Sequence, residues 1–554
     1  MKRTGGQLIV DMLAANQVER VFCVPGESYL AVLDALHDAD IKLTLARQEG
    51  GASMMADAWG KLTGKPGICM VTRGPGATNA ASGVHVAAQD STPMILFIGQ
   101  VGRDFRDREA FQEVDYKQMF GGIAKWVAEI DDPARVPEYV ARAFSVAQSG
   151  RPGPVVLALP EDMLRESADV PSIPVVHPVE TYPGPQAMAD FSTLLANAER
   201  PVAILGGSRW SKEAVARFTA FAERFDLPVG VSFRRQMLFD HLHSNYVGDV
   251  GIGMNPDLRK RIDESDLVML IGTRLSEIAS QGYQLLRTPS PVQDVVHVHP
   301  DAGELGKVYQ PTLAIHASPE AFTDALEHVE TATHIPWMGQ AEEAHASYRA
   351  WTDTPPEVPG ALKMGAVMRH LQDVLPDDAI LANGAGNYAT WVHRFHRFRR
   401  FGSQVAPTSG SMGYGVPGAV AAKLCHPDRT VVAFAGDGCF QMTGLEFATA
   451  AQEGAAIIVL VVDNGMYGTI RMHQEMHYPG RVSGTALHNP DFAALAKACG
   501  GFGERVERSE DFAAAFERAQ ASGLPALLHL IIDPEAITPT STLAAMRAKA
   551  LEKA

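Results

Sequence analysis

The sequence of 554 residues has few cysteines, no long apolar run and no surplus of positive charge, and each absence excludes a class of protein. Its five cysteines are odd in number and lack the spacing of metal ligands, which disfavours a disulfide framework and a zinc site. No apolar run approaches the roughly 20 residues that cross a bilayer. The formal net charge of −16 argues against general affinity for nucleic acid.

The amino-terminal segment and the cysteines favour a cytoplasmic protein. Met1–Thr4 leads directly into an amphipathic segment at Leu8–Leu13, without the apolar core of a signal peptide. The scattered cysteines are expected to be reduced thiols in or near the core. We therefore expect a soluble cytoplasmic protein with no membrane partner and no nucleic-acid partner.

Two proline-rich stretches divide the chain into three blocks. The first runs from Pro171 to Pro185 and the second from Thr354 to Gly360, and both are typical of interdomain linkers. The blocks cover residues 1–170, 186–345 and 360–540, a number of domains that suits this chain length. Each block alternates short apolar segments with helical patterns. This alternation predicts three α/β domains, each a doubly wound and mainly parallel sheet.

Two polar residues of the last block follow two apolar segments. Asp437, in a Gly-Asp-Gly-Cys segment, comes shortly after Val431–Phe434, and Asn464 follows Ile457–Val462. Such runs indicate buried parallel strands, so both side chains should lie at the carboxyl edge of the sheet, where ligands bind. Carboxylate and amide oxygens suit Mg²⁺, and diphosphate oxygens would complete its octahedral shell. The pattern predicts a metal-anchored diphosphate, although Gly-Asp-Gly alone is also a common turn.

The spacing of this pair resembles the metal-binding motif of thiamin diphosphate (ThDP) enzymes. The Asp of Gly-Asp-Gly and an Asn 26 intervening residues later ligate Mg²⁺ in that family, which implies these roles for Asp437 and Asn464. The third ligand in the family is a main-chain carbonyl two residues beyond the Asn, here that of Met466. The resemblance runs nearly end to end and is closest to the acetolactate (acetohydroxyacid) synthase group. It implies a pyrimidine-binding first domain, a central domain that is noncatalytic or holds a flavin or nucleotide, and a diphosphate-binding third domain.

Glu49 is the candidate catalytic residue. It opens a predicted helix after a strand-like segment at Ile41–Leu45. A glutamate in a first helical turn can simply be favoured by the helix dipole. However, Arg47-x-Glu49-x-x-Ala52 resembles the pyrimidine-domain motif whose Glu hydrogen-bonds N1′ of ThDP. The resemblance implies a carboxyl that holds or shares a proton in a dry site and so promotes removal of the C2 proton of the thiazolium.

Further segments resemble cofactor-contacting motifs of the same family. Gly74-Pro75-Gly76 would let the backbone approach the cofactor, and Met412 would lie under its bent form; a tight turn and an ordinary core methionine are the alternatives. Asn387-Tyr388 stands in place of a Gln-His pair. The predicted cofactor contacts are Glu49, Gly74, Pro75, Gly76, Asn387, Tyr388, Gly410, Met412, Gly436, Asp437, Gly438, Cys439, Asn464, Met466 and Tyr467.

Three residues are predicted to line the substrate pocket. Phe111 and Gln112 lie in an Ala-Phe-Gln-Glu segment that resembles one lining the pocket of acetolactate synthases; a surface loop with one buried Phe is the alternative. Arg274 follows Gly272-Thr273 as in a Gly-Ala-Arg motif near the flavin and the acceptor carboxylate, which a guanidinium binds well. A surface ion pair is the alternative for Arg274.

Several positions that would select substrates depart from the acetolactate synthase pattern. Arg73 replaces a small residue near the donor pocket, and His473 stands where a Trp shapes the acceptor site. The residues after Arg274, and His299-Pro300-Asp301, also differ from flavin-associated motifs, so the sequence leaves FAD open as a further cofactor. No His-His pair, typical of aldehyde-releasing members, occurs near Phe111.

Two patterns are interpreted as unrelated to function. Residues 393–401 mix basic and aromatic side chains like a nucleic-acid patch. The family has a similar stretch at this place and the chain is acidic, so we expect a solvated loop. His297 and His299 could share one strand face, but a zinc site needs further ligands nearby.

The resemblance implies decarboxylation of a 2-keto acid, with pyruvate as the expected donor, and ligation of the product to a second carbonyl, as in 2-acetolactate formation. It also implies a homodimer or homotetramer in which Glu49 of one subunit meets the diphosphate domain of another. A pyruvate-oxidase-like flavoenzyme and a catabolic ThDP lyase or decarboxylase acting on another keto acid or acyl-CoA stay open as alternatives. A silent regulatory paralogue is a further alternative, against which intact Glu49, Asp437 and Asn464 argue.

Overall fold

The computed structural model describes residues 2–171, 173–331 and 334–553, and these residues form three α/β domains with parallel six-stranded sheets. Ser172, in the first predicted linker, and Met1 lie outside the described residues. The predicted fold class of three doubly wound α/β domains is confirmed.

The first domain contains a six-stranded parallel sheet and a short antiparallel strand pair. Its strands are β1 (Arg3–Thr4), β2 (Arg20–Cys23), β3 (Lys42–Leu45), β4 (Gly67–Val71), β5 (Met94–Gln100), β6 (Trp126–Glu129), β7 (Pro154–Pro160) and β8 (Ser167–Ala168). Its helices are α1 (Gly5–Ala15), α2 (Leu30–His37), α3 (Glu49–Thr63), α4 (Pro75–Asp90), α5 (Tyr116–Phe120), α6 (Val136–Gln148) and α7 (Glu161–Arg165). The sheet order is β3-β2-β4-β5-β7-β6, and β1 pairs with β8. Strands β2, β4, β5 and β7 are buried throughout, as expected for apolar strands covered on both faces.

The central domain has a second parallel sheet. Its strands are β9 (Pro201–Leu205), β10 (Val229–Ser232), β11 (Tyr246–Val250), β12 (Leu267–Ile271), β13 (Asp294–His299) and β14 (Leu313–His316). Its helices are α8 (Pro185–Asn197), α9 (Lys212–Arg224), α10 (Pro256–Asp263), α11 (Pro319–Leu326) and α12 (Gln340–Thr352). The sheet order is β11-β10-β9-β12-β13-β14, so the direction of winding reverses between β9 and β12.

The third domain repeats this architecture. Its strands are β15 (Ile380–Asn383), β16 (Gln404–Val405), β17 (Val431–Gly436), β18 (Ile458–Asp463), β19 (Phe502–Val506) and β20 (Ala526–Ile531). Its helices are α13 (Met364–Val374), α14 (Tyr388–Phe395), α15 (Gly415–Cys425), α16 (Asp437–Thr443), α17 (Glu446–Glu453), α18 (Gly468–His477), α19 (Phe492–Ala498), α20 (Ser509–Ala521) and α21 (Leu543–Leu551). The sheet order is β16-β15-β17-β18-β20-β19. The three predicted blocks each contain one sheet, while their exact boundaries stay predictions.

The first and third domains dock directly within one chain. A continuous apolar cluster extends from the first domain into the third, and α3 packs against α15 across the boundary. The opposite face of the first sheet has its own apolar cluster, and two more clusters serve the central domain. The helix that begins at Glu49 is therefore held between two domains.

Short sequence signals determine where the helices beside Glu49 begin and end. The side chain of Gln48 accepts a hydrogen bond from the Gly51 N–H at the start of α3, and the helix ends at Gly64, whose φ of 69° is left-handed. Helix α4 begins with Pro75, which lacks the N–H that a first-turn residue would leave unpaired.

Two expectations from composition can be compared with the described residues. The five cysteines are free thiols, and each is buried or half-buried. Among the described helices, none combines the length and the apolar character needed to cross a membrane.

Candidate cofactor and active site

Asp437 and Asn464 lie side by side at the carboxyl edge of the third sheet. Strands β17 and β18 are parallel neighbours; β17 ends directly before Asp437 and β18 directly before Asn464. The N–H of Met466 donates to Asp437 Oδ2 at 3.1 Å and to Asn464 Oδ1 at 3.3 Å. One backbone N–H thus contacts both oxygens that the sequence singles out, which places the two side chains at one point.

A cavity of about 260 Å³ opens at this edge of the sheet. All predicted cofactor contacts of the third domain line it: Asn387, Tyr388, Gly410, Met412, Gly436, Asp437, Gly438, Cys439, Asn464, Met466 and Tyr467. The cavity is also lined by residues that no sequence motif indicated, including Trp391, Thr469, Ile532 and Ile537. Ile532 follows β20, so the strand-end rule that found Asp437 could have found it too.

The Asp437 carboxylate is buried without a cationic partner among the described residues. It is 3% exposed, and it accepts hydrogen bonds from the Gly438 N–H at 2.9 Å and from Asn489 Nδ2 at 2.8 Å. Burial, together with the neighbouring Asp463, raises the pKa of Asp437 to about 6. A bound cation would reverse this shift, because it favours the charged carboxylate.

Asn489 is a site residue that no sequence motif indicates. Its Nδ2 donates to Asp437 Oδ2 at 2.8 Å and to Asp463 Oδ1 at 2.7 Å. Asp463 in turn contacts His529 Nε2 at 2.8 Å. These contacts orient the Asp437 carboxylate towards the cavity edge.

Glu49 lies with the Gly-Pro-Gly segment in a second half-site, in the first domain. Its side chain is half-buried, and Oε2 accepts a hydrogen bond from Asn79 Nδ2 at 2.9 Å. A Cβ on Gly76 would come within 3.4 Å of Glu49 Oε1, so glycine keeps the approach to this carboxyl open. Glu49 does not line the cavity that Asp437 lines. Within one chain the two predicted halves of the site are therefore separate.

Gly74 adopts a backbone conformation that other residues rarely reach. Its φ is 49° and its ψ −103°, and its N–H donates to the Tyr116 hydroxyl at 2.9 Å. A Cβ here would lie 2.8 Å from the carbonyl oxygen of Gln112. Both the positive φ and the close approach require glycine.

Gly74→Ala is expected to destabilise the protein by about 1–3 kcal/mol, because it adds a clash to backbone strain. Gly64→Ala is the matched control: Gly64 also has a positive φ, 69°, but a Cβ added there would meet no other atom within 4 Å. The control should lose only about 1 kcal/mol. Thermal-unfolding midpoints of the two variants measure the difference. Equal midpoints would show that the contact with Gln112 is not restrictive.

Phe111 and Gln112 lie beside Gly74 but do not line the cavity. Phe111 is 72% exposed in the single chain, so its side chain is not buried as the surface-loop alternative expects. Arg73 is buried and contacts this loop: its Nε donates to the Phe111 carbonyl at 3.1 Å and its Nη2 to Glu27 at 3.0 Å. Arg73 thus links the loop that carries Phe111 to Glu27.

Arg274 contacts the first domain instead of a carboxylate. It follows β12, and its Nη2 donates to the Gln89 carbonyl at 2.7 Å. No ion pair of Arg274 occurs in the part of the chain that the structure describes. Nearby His297 is buried and contacts the Thr273 carbonyl at 3.0 Å. Within the described ranges, no group of three or more His, Cys, Asp or Glu is placed to hold a metal ion.

The basic and aromatic stretch at residues 393–401 is not the solvated loop that we expected. His393, Phe395, His396 and Phe398 are buried. The stretch forms the end of α14 and the contact with the central domain, where Arg399 pairs with Asp240 at 2.7 Å. Docking of two domains, which local sequence does not encode, accounts for the difference.

Comparison with known families also gives three successive domains in the chain. Three family models match: "Thiamine pyrophosphate enzyme, N-terminal TPP binding domain" at residues 3–119, the central domain of the same family at 188–326, and its C-terminal TPP binding domain at 384–530. The first half-site lies in the first match and the cavity largely in the last.

Similar proteins cover nearly the whole chain. The acetolactate synthase isozyme 2 large subunit of Escherichia coli K12 is 30% identical over 553 residues, 99% of each chain. The acetolactate synthase large subunit of Corynebacterium glutamicum is 31% identical over 555 residues, 97% of this chain and 88% of that protein. The chain belongs to the thiamine pyrophosphate enzyme family and is an enzyme of that family similar to acetolactate synthase large subunits.

Proposed function

We propose that the protein is a ThDP- and Mg²⁺-dependent carboligase that decarboxylates a 2-keto acid, with pyruvate as donor, and joins the remaining fragment to a second carbonyl. The observation that carries the proposal is the cavity at the third sheet's edge, where Asp437 and Asn464 converge. The relatives named acetolactate synthase support the reaction type.

The residues present fit a magnesium-anchored diphosphate. Asp437 offers a buried carboxylate with a raised pKa and no cationic partner among the described residues, and Asn464 offers an amide oxygen. The Met466 carbonyl would be the third protein ligand. Oxygen donors without cysteine or histidine favour Mg²⁺ over softer metals. A Cβ on Gly438 would lie 2.6 Å from the Tyr467 ring and one on Gly436 3.2 Å from the Tyr388 ring, so glycine at both positions lets these rings line the cavity.

When bound, ThDP supplies an electron sink for the carboxylate-bearing carbon of the substrate. The chain's own residues prepare and protect that chemistry. Glu49 would hold or share a proton at N1′ of the pyrimidine, and Met412, which lines the cavity, would pack beneath the cofactor. The apolar side chains of Trp391, Ile532 and Ile537 line the cavity, and such a lining would strengthen electrostatic interactions with a bound ligand.

The separation of Glu49 from the cavity leads us to propose a homodimer or homotetramer with shared sites. Glu49 of one subunit would face the cavity of its partner. Apolar side chains on the third domain are exposed in the single chain, including Met442 at 50% and Ile470 at 56%, as is Phe111 of the first domain. Exposed apolar residues of this size suit a subunit interface.

A complementation experiment tests this arrangement. Glu49→Gln and Asp437→Ala subunits, each inactive alone, are co-expressed with different tags. If the sites form between subunits, each mixed dimer has one intact site, and a random mixture should recover about a quarter of wild-type activity in a symmetric dimer. Sites formed within one chain would give no recovery, and a monomer in light scattering would also contradict the proposal.

The substrates are tested by product analysis. Purified protein with ThDP and Mg²⁺ is incubated with a panel of 2-keto acids, and CO₂, acetolactate, aldehyde and peroxide are measured together. Acetolactate from pyruvate is the expected result. Aldehyde alone, or activity only with another keto acid or an acyl-CoA, would favour the catabolic lyase or decarboxylase alternative.

The pyruvate-oxidase-like alternative needs FAD in the central domain. The winding of the central sheet reverses between β9 and β12, where dinucleotides bind in open sheets. The loops that follow β9 and β12 come into close backbone contact at two glycines: a Cβ on Gly207 would lie 1.9 Å from the Gly272 carbonyl oxygen. Peroxide formation with absorption near 450 nm would establish the oxidase, whereas flavin absorption without peroxide would assign FAD a noncatalytic place.

A further inference from the structure

Glu446 of the third domain contacts the start of the helix that carries Glu49. It opens α17 and is 1% exposed. Its Oε1 accepts hydrogen bonds from the N–H groups of Arg47 and Gln48, both at 3.0 Å, and its Oε2 accepts one from the Thr449 hydroxyl at 2.7 Å. A carboxylate at the amino terminus of a helix satisfies unpaired N–H groups and complements the helix dipole. Here the carboxylate comes from another domain.

Gly51 makes room for this carboxylate. A Cβ on Gly51 would lie 2.3 Å from Glu446 Oε1 and 2.7 Å from its Cδ. Gly51 is inside α3, where alanine would favour the helix by about 1 kcal/mol. Glycine is therefore favoured at position 51 because the Glu446 side chain packs against the first turn of α3.

The buried contact joins chain segments that are adjacent in sequence to the two half-sites. Helix α17 follows α16, whose first residue is Asp437, while the N–H groups that Glu446 holds directly precede Glu49. Burial raises the pKa of Glu446, although hydrogen bonds from Thr449, Arg47 and Gln48 oppose the shift. An apolar cluster already joins the two domains, and burying a carboxyl costs free energy. Domain docking alone therefore does not explain why Glu446 is buried here.

We propose that Glu446 is a positioning residue for Glu49. It fixes the backbone at Arg47 and Gln48 and thereby the direction in which the Glu49 carboxyl leaves the helix. Glu446 does not line the cavity. The inference rests on the proposed role of Glu49 in proton transfer at ThDP.

A second contact of the same helix provides a matched control. Glu453, the last residue of α17, pairs with Arg20 of the first domain at 3.0 Å. Glu453→Gln therefore weakens the same interdomain boundary without touching the start of α3. A difference between Glu446→Gln and Glu453→Gln reports on Glu49 and not on domain docking in general.

The first measurement is the exchange of the C2 proton of bound ThDP with solvent deuterium, followed by NMR after an acid quench. Glu446→Gln should slow the exchange by about 100-fold, the loss expected when a catalytic group is misplaced by about 1 Å. Calorimetry should show ThDP affinity within about threefold of wild type, since the cavity is untouched. Glu453→Gln should leave both quantities unchanged.

The second measurement needs no cofactor. Amide hydrogen exchange of the peptide containing Arg47 and Gln48 is followed by mass spectrometry in the protein without ThDP. Glu446→Gln should reduce protection there, because two N–H groups lose a charged acceptor. Gly51→Ala should do the same from the opposite side, and it keeps the proposal testable if Glu446→Gln does not fold. The double variant should be no slower in C2 exchange than the slower single variant, since both act on one contact.

The outcomes separate this inference from the proposed function. If wild type and Glu49→Gln differ in C2 exchange while Glu446→Gln and Gly51→Ala match wild type, the positioning role is wrong. Loss of ThDP affinity in Glu446→Gln, or an equal loss of C2 exchange in Glu453→Gln, would also overturn it in favour of a structural role. If wild type itself does not accelerate C2 exchange, the proposed function fails, and the inference with it.

Discussion

Replacing Glu49 by glutamine should lower turnover by about 10²–10⁴-fold, the contribution of a positioned acid or base. Glutamine keeps the size of the side chain and can keep the contact with Asn79, which lies 2.9 Å from Glu49 Oε2. It cannot hold and return a proton at N1′ of the pyrimidine. The loss should therefore appear in kcat and in C2 exchange, while calorimetry should find ThDP affinity nearly unchanged.

The control for Glu49 is a glutamate in an equivalent local position. Glu138 lies in the first turn of α6 in the same domain and pairs with Arg135 at 2.8 Å on the surface. Glu138→Gln should have wild-type turnover. If Glu49→Gln is as active as Glu138→Gln, Glu49 has no place in the mechanism and its position reflects only the helix dipole.

Replacing Asp437 by alanine should abolish Mg²⁺-dependent binding of ThDP. Loss of even an outer-shell partner of a metal typically weakens binding by about 10–100-fold, so removal of a charged ligand should exceed about 100-fold. The variant should fold, because it removes a buried carboxylate whose pKa is raised by burial. Calorimetric titration with ThDP at fixed Mg²⁺ measures the effect, and activity should disappear with binding.

Gln441 offers the matched control for Asp437. It lies one turn further along α16, and its Nε2 donates to Asn489 Oδ1 at 2.9 Å, so it belongs to the same polar network without facing the metal position. Gln441→Ala should bind ThDP nearly as wild type does. If Asp437→Ala binds ThDP as tightly as wild type does, Asp437 does not hold a metal ion at the diphosphate half of the site.

Some features of the site follow from local sequence because strands impose a simple geometry. The apolar runs before Asp437 and Asn464 predict parallel strands, and the carboxyl ends of neighbouring parallel strands meet at one edge. The structure places both residues there, with the Met466 N–H between them. The Gly-Pro-Gly turn is likewise local, since φ of Gly74 and the proline at the start of α4 are properties of a few residues.

Other features could not be predicted from local sequence because they depend on how distant segments dock. The sequence marks Arg73 as unusual, but only the fold turns its guanidinium to Glu27 and the Phe111 carbonyl. The stretch at 393–401 has the composition of a surface loop and is buried against the central domain. Asn489 carries no motif, and its role arises from its position between Asp437 and Asp463.

The sequence by itself determined the fold class, the family and the motif residues that line the third-domain cavity, because each depends on apolar periodicity and on short motifs. Tertiary structure alone decided that Glu446 holds the start of the helix that carries Glu49. Contacts between residues some 400 positions apart, such as Glu446 with Arg47 and Gln48, depend on the packing of whole domains, which no local pattern records.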